Sequence, residues 1–162
     1  MPVVRTFGQD HSLFVSSWTE TETGVSELEY AGGIRGRPYD VVEGPVTGLP
    51  IPADAEIAIE GQLHPGDTDV EGPFGEWMGY YGSGEREEPY MQVESVYHRE
   101  DPILVCSPPL KPPQEQSFFR AVVRSALLKE ELDQAGVPNI EGVWCHEAGG
   151  SRQHHVVSID QR

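Results

Sequence analysis

The chain has 162 residues, enough for one domain with a modest core and too few for two full-sized ones. Its 27 Asp and Glu against 11 Lys and Arg give a net charge of −16, a field that repels phosphate backbones and anionic headgroups, so binding to nucleic acid or a membrane surface is not expected. Only 37% of residues are hydrophobic, whereas Gly (18) and Pro (14) are abundant, which suits a turn-rich, strand-rich domain and not a helical bundle. No apolar run approaches the roughly 20 residues that span a bilayer, and Met1-Pro2-Val3-Val4-Arg5 lacks the layout of a secretory signal. The expectation is a soluble, cytoplasmic protein with Cys106 and Cys145 as free thiols.

In chain order, Val3 to Phe7 reads as a strand broken by Gly8, and Leu13-Phe14-Val15 reads as either strand or helix. Ser26 and Glu29 have the spacing of a capping box, so a short helix is predicted from Glu27 to about Gly33. Strands follow at Asp40–Glu43 and Glu56–Glu60, the second alternating acidic and apolar side chains. Gly72–Gly84 is dense in Gly and aromatics, predicting a structured turn and then a strand at Trp77–Tyr81. Later strands are predicted at Tyr90–Tyr97, Pro102–Cys106 and His155–Ile159. A long helix begins after Pro112-Pro113 and stops at Gly136. Phe118, Phe119, Val122, Val123, Leu127, Leu128 and Leu132 form an apolar stripe expected to pack on a sheet, with Arg120, Arg124, Glu131 and Asp133 facing solvent.

The stretch with the most chemical potential is Glu71-Gly72-Pro73-Phe74-Gly75-Glu76-Trp77-Met78-Gly79-Tyr80-Tyr81. Two carboxylates flank a Gly-Pro-Phe-Gly turn whose fixed backbone path can aim both into one cavity. Surrounding aromatics would desolvate a carboxyl and raise its pKa, making it a proton donor near neutrality. A rigid turn with two exposed acids is the plainer alternative. A glycosidase-like acid pair is chemically conceivable, but no sugar cleft is suggested beyond Trp77 and the tyrosines. Cys145-His146-Glu147 with His154-His155 lacks zinc-ligand spacing. Gly149-Gly150 is too short for a phosphate loop, and no Cys/His protease motif surrounds the thiols.

Glu71 to Tyr81 resembles the signature of the UbiD family of decarboxylases, which depend on prenylated FMN. Gly24-Val25-Ser26-Glu27, Tyr30-Ala31-Gly32, Arg35-Gly36, Ile51 to Ile57, Glu60-Gly61, Arg99 to Ile103 and Pro112 to Glu115 stand in the family's order, so the resemblance runs from Pro2 to Gln161. It implies a single domain over 1–162 equivalent to the family's central domain: α+β, mainly β, a split β-barrel like those of FMN-binding flavin reductases, with one long packed helix. It implies Glu76 as the acid that protonates the product after CO₂ leaves and Glu71 as the acid that pairs with an arginine. Glu27 corresponds to the glutamate that holds a divalent metal, usually Mn²⁺, against the flavin phosphate. Ser16-Ser17 correspond to a K⁺ site built partly from carbonyls, and Pro108, Pro109 and Leu110 to the substrate-pocket wall.

Complete members are longer at both ends. Their N-terminal part supplies the other metal ligands, the arginine partner and much of the flavin cradle, and their C-terminal domain closes the pocket. None of these has a counterpart here. An unpaired buried carboxylate is costly, so a cation for Glu71 is expected from elsewhere. The resemblance therefore implies a split decarboxylase acting on an aromatic or α,β-unsaturated carboxylic acid. UbiD-like partner subunits would share the prenylated FMN, Mn²⁺ and K⁺, and the isolated chain would be inactive. The alternative is a non-catalytic scaffold or regulatory subunit of such a complex.

Overall fold

A computed structural model of the chain describes residues 1–19, 21, 23–108 and 110–161. They form three antiparallel sheets and three α-helices, an α+β arrangement that is mainly β. They divide into two compact units, Met1–Glu71 with Arg86–Cys106, and Gly72–Glu85 with the chain from Ser107 onward.

In the first unit, β1 (Pro2–Phe7) is followed by α1 (His11–Ser16), α2 (Glu27–Arg35), the short strands β2 (Val41–Glu43) and β3 (Pro50–Pro52), and the long hairpin of β4 (Ile57–Glu71) and β5 (Arg86–His98). The main sheet has the order β1-β4-β5, and β2 pairs with β3. The segment that was ambiguous between strand and helix is α1, capped by Asp10, whose carboxylate accepts from the Ser12 N–H at 2.8 Å. The predicted α2 begins where its capping box places it: Ser26 and Glu29 each satisfy the other's backbone N–H. It runs to Arg35 and is stopped by Gly36 in the left-handed conformation (φ 69°). Helix α1 packs against α2.

Two carboxylates tie this unit together. The Tyr39 hydroxyl lies 3.0 Å from both oxygens of Asp54, and the Asp10 N–H donates to the same carboxylate at 3.3 Å. Asp54 thus links the chain entering α1 to the chain leaving α2. Burial, and then the neighbouring Asp54, push the Tyr39 hydroxyl well above its ordinary pKa. Arg35 covers the Tyr39 ring at 4.5 Å. Glu60, in the middle of β4, is fully buried and accepts from the Thr47 N–H (2.8 Å), the Thr47 hydroxyl (2.5 Å) and the Val46 N–H (3.3 Å), pinning the β2–β3 connection.

The second unit holds α3 (Glu115–Gln134) and the hairpin of β6 (Ile140–Cys145) and β7 (His155–Ile159), joined by a 3-10 turn at Glu147–Gly149. The helix lies where its sequence punctuation puts it and packs on β6, but only part of the expected stripe turns inward: Val123, Leu127, Leu128 and Leu132 are half-buried. Ser117, Ala121 and Ser125 are buried, whereas Phe118, Phe119 and Val122 are 56%, 50% and 62% exposed. The cause is hydrogen bonding at close approach. The Ser125 hydroxyl accepts from the Cys145 N–H at 2.8 Å and donates to the Ala121 carbonyl, and the Ser151 hydroxyl donates to the Ser117 carbonyl. Such contacts need small side chains facing β6. The expected solvent face also changes: Arg120 and Arg124 are only partly exposed, and burial followed by Arg152 and Arg124 lowers the Arg120 pKa.

Two predicted strands are absent. At 77–81 the chain folds back on itself, with the Glu76 N–H on the Tyr80 carbonyl and the Gly79 N–H on the Glu76 carbonyl, both at 2.8 Å, leaving one bridge between Gly75 and Tyr81. At 102–106 the Ile103 N–H is taken by the Glu56 carboxylate at 3.2 Å, and no ladder forms. No helix of the described residues is long and apolar enough to cross a membrane. Cys106 is exposed and Cys145 buried, both as free thiols.

Candidate active site

Glu76 is held by its own turn. Its carboxylate accepts from the Trp77 N–H at 3.3 Å, and a Cβ at Gly82 would stand 2.5 Å from its Cγ, so only a glycine leaves it room. Gly79, at φ 87°, lies so close to Lys111 that a Cβ would meet the lysine Cβ at 2.6 Å and Cα at 2.7 Å. A glycine is required there both for the left-handed backbone and for the close approach. The Glu76 turn therefore rests on the segment that leads into α3. Glu76 and Trp77 are half-buried, but the expected aromatic shield is incomplete: Tyr80 and Tyr81 are each 73% exposed. Pro108 and Leu110 are exposed in the same unit, and Pro109 lies outside the described residues.

Glu71 and Glu76 fall in different compact units. Glu71 ends β4, exposed, and the ladder sets it opposite Arg86 of β5. Arg86 itself pairs with Glu88 at 2.6 Å. This cation beside Glu71 was invisible in the sequence, because it depends on the register of a hairpin whose two strands are separated by the whole Gly-rich turn.

In the first unit, Glu27 is the first helical residue of α2, with its carboxylate exposed. Ser16 and Ser17 end α1. The Ser16 hydroxyl donates to the Ser12 carbonyl at 2.7 Å and the Ser17 hydroxyl to the Phe14 carbonyl at 2.8 Å. Ser17, with Leu28 beside Glu27, lines a largely apolar cavity of about 470 Å³ that also touches Phe7, Leu13, Phe14 and Cys106. The donor chemistry fits a hard cation: an acidic oxygen at a helix start, and carbonyl oxygens at a helix end where the dipole is negative. It fits as a partial set only. Among the described residues no three His, Cys, Asp or Glu gather as metal ligands, so Glu27 stands there as a single acidic oxygen. That includes the His146–His154 pair, whose rings stack at 5.2 Å without a third ligand.

Solved structures identify the fold as that of UbiD-class enzymes. An evolved dimeric form of HmfF from Pelotomaculum thermopropionicum, in complex with prenylated FMN, superimposes with a TM-score of 0.88 and 32% identity, over 99% of this chain and 37% of that one. Vanillic acid decarboxylase of Sedimentibacter hydroxybenzoicus (ShVdcCD), in an open form with truncated ShVdcD, matches with a TM-score of 0.86 and 27% identity, over 100% of this chain and 34% of the other. Among curated proteins, pyrrole-2-carboxylic acid decarboxylase of Pseudomonas aeruginosa is 36% identical over 144 residues, which is 89% of this chain and 29% of that protein. Residues 1–112 match the family described as the 3-octaprenyl-4-hydroxybenzoate carboxy-lyase Rift-related domain. The chain belongs to the UbiD family, and it spans about a third of the length of these relatives.

Proposed function

We propose that the chain is a subunit of a split UbiD-like decarboxylase acting on an aromatic or α,β-unsaturated carboxylic acid, its domain equivalent to the central domain of complete members. UbiD-like partner chains supply the remaining flavin and metal ligands and the closing domain. The observation that carries this reading is the construction around Glu76: a half-buried acid whose turn is fixed by Gly79 against Lys111 and by Gly82 against its own side chain. Such fixation is what a proton donor needs and what an idle surface acid does not.

Prenylated FMN, when bound, supplies the electron-accepting ring that stabilises the charge left by departing CO₂. The chain's own part is positional. Glu76 delivers a proton to the carbon that loses CO₂, its carboxylate held by the Trp77 N–H. Glu71 pairs with a cation, for which Arg86 across the ladder is the local candidate. Glu27 gives one oxygen ligand to Mn²⁺, Ser16 and Ser17 offer carbonyls to K⁺, and Pro108, Pro109 and Leu110 form part of the substrate wall.

The test is co-purification with the partner chains followed by Glu76→Gln. The assembly should persist with flavin and metal bound, while turnover falls by about 10² to 10⁴, the usual contribution of a positioned general acid. Unchanged turnover would leave the chain as a scaffold.

A further inference from the structure

The residue after Glu76 is held by a corner of the chain that the family resemblance does not assign. Trp77 lies against Gly150: a Cβ there would meet the indole at 2.6 Å (Cζ3) and 2.7 Å (Cε3), and would also stand 3.5 Å from Pro112. Gly150 is left-handed, at φ 63°, so glycine is required by conformation as well as by space. The Arg152 guanidinium lies over the Trp77 ring, 5.2 Å from its centroid. This is cation–π distance, and a planar guanidinium can lie along an indole as a lysine ammonium cannot.

The corner is itself anchored. Between Gly150 and Arg152, Ser151 is fully buried, its hydroxyl donates to the Ser117 carbonyl in the first turn of α3, and its N–H donates to the His146 carbonyl at 3.1 Å. The Arg152 and Gln153 N–H groups both close on the Gly149 carbonyl, at 3.2 and 3.1 Å. The platform under Trp77 is thus tied to α3 by a buried bond and to β6 by the 3-10 turn. Trp77 is joined to Glu76 by a planar peptide whose N–H is on the Glu76 carboxylate, so the indole's anchorage and the carboxylate's direction meet at one backbone group.

We infer that Arg152 and Gly150 are positioning residues for Glu76: they hold the Trp77 indole, and through it they set where the Glu76 carboxyl points. This rests on the reading of Glu76 as proton donor, and the experiment separates the two. In the reconstituted decarboxylase, Glu76→Gln, Arg152→Ala and Arg152→Lys are assayed together, with acrylamide quenching of Trp77 measured on each full chain by difference from Trp77→Phe.

Arg152→Ala is expected to lower kcat by about ten- to a hundredfold, the scale of a small misplacement at a reacting centre, with KM unchanged and Trp77 more open to quencher. Arg152→Lys, which keeps the cation, should recover part of both. An inactive Glu76→Gln beside an Arg152→Ala of full kcat overturns the positioning role and leaves the donor standing. A fully active Glu76→Gln overturns the donor. In that event the hold of Arg152 on Trp77 is judged by quenching alone, and unaltered quenching in Arg152→Ala, with the same melting temperature, overturns it too.

Discussion

Among the described residues Glu60 is the largest side chain fully withdrawn from solvent, and it is a carboxylate. Burial alone would raise its pKa, but the Thr47 hydroxyl and N–H, the Tyr97 hydroxyl and the Val46 N–H outweigh burial and hold it below the usual carboxylate value. All of these donors are neutral, so the ionised form is kept by hydrogen bonds and not by a salt bridge. The direction fixes the pH dependence. A depressed folded-state pKa contributes stability that is fully present above the ordinary carboxylate range and is lost as pH falls through the folded value. The difference in urea midpoint between the native chain and Glu60→Gln should therefore be constant near neutrality and shrink on acidification below that range. A difference that stays flat down to the acid limit would mean that Glu60 binds its proton equally in both states. The same logic of satisfied polar groups governs Ser125, whose buried hydroxyl accepts from the Cys145 N–H.

At the scale of the element, punctuation was legible and packing was not. The ends of α2 and α3 follow from local chemistry, since a capping box, a left-handed glycine and a Gly136 stop act within a turn of themselves. Ser26→Ala should accordingly destabilise α2 by about 1 kcal/mol, seen as faster hydrogen exchange in the first turn of α2 with α3 unaffected. Which face of α3 is most buried depends on what β6 and Ser151 bring to it, so the stripe's half-buried Val123, Leu127, Leu128 and Leu132 were legible while the exposure of Phe118, Phe119 and Val122 was not. Strand β4 was recognised only to Glu60, because Gly61 and Pro65-Gly66 interrupt the alternation. The ladder carries the strand on to Glu71 by shifting register at Glu60/Gly61 and at Leu63/Thr68. At the site, the Gly-Pro-Phe-Gly context marked Glu76, while Gly150 and Arg152, far along the chain, carried no local signal.

For the molecule as a whole, the exposed apolar side chains matter more than the core. Among the described residues the buried apolar ones are Leu13, Ala31, Ile51, Ala58, Ala121 and Cys145, mostly small, whereas Phe118, Phe119 and Val122 on α3 are at least half exposed. Contiguous apolar surface of this kind is uncommon on a soluble monomer and adsorbs hydrophobic probes. The probe must be neutral, because a net charge of −16 repels the anionic dyes in common use. Nile red should fluoresce on binding the isolated chain at neutral pH, with little sensitivity to salt. Phe118→Ser combined with Val122→Ser should remove much of that signal. Neither side chain belongs to the buried set, so each substitution should change unfolding free energy by no more than about 0.5 kcal/mol. If the double variant instead unfolds at markedly lower urea, the two side chains are core residues, and the face of α3 turned to β6 is the large-residue stripe after all.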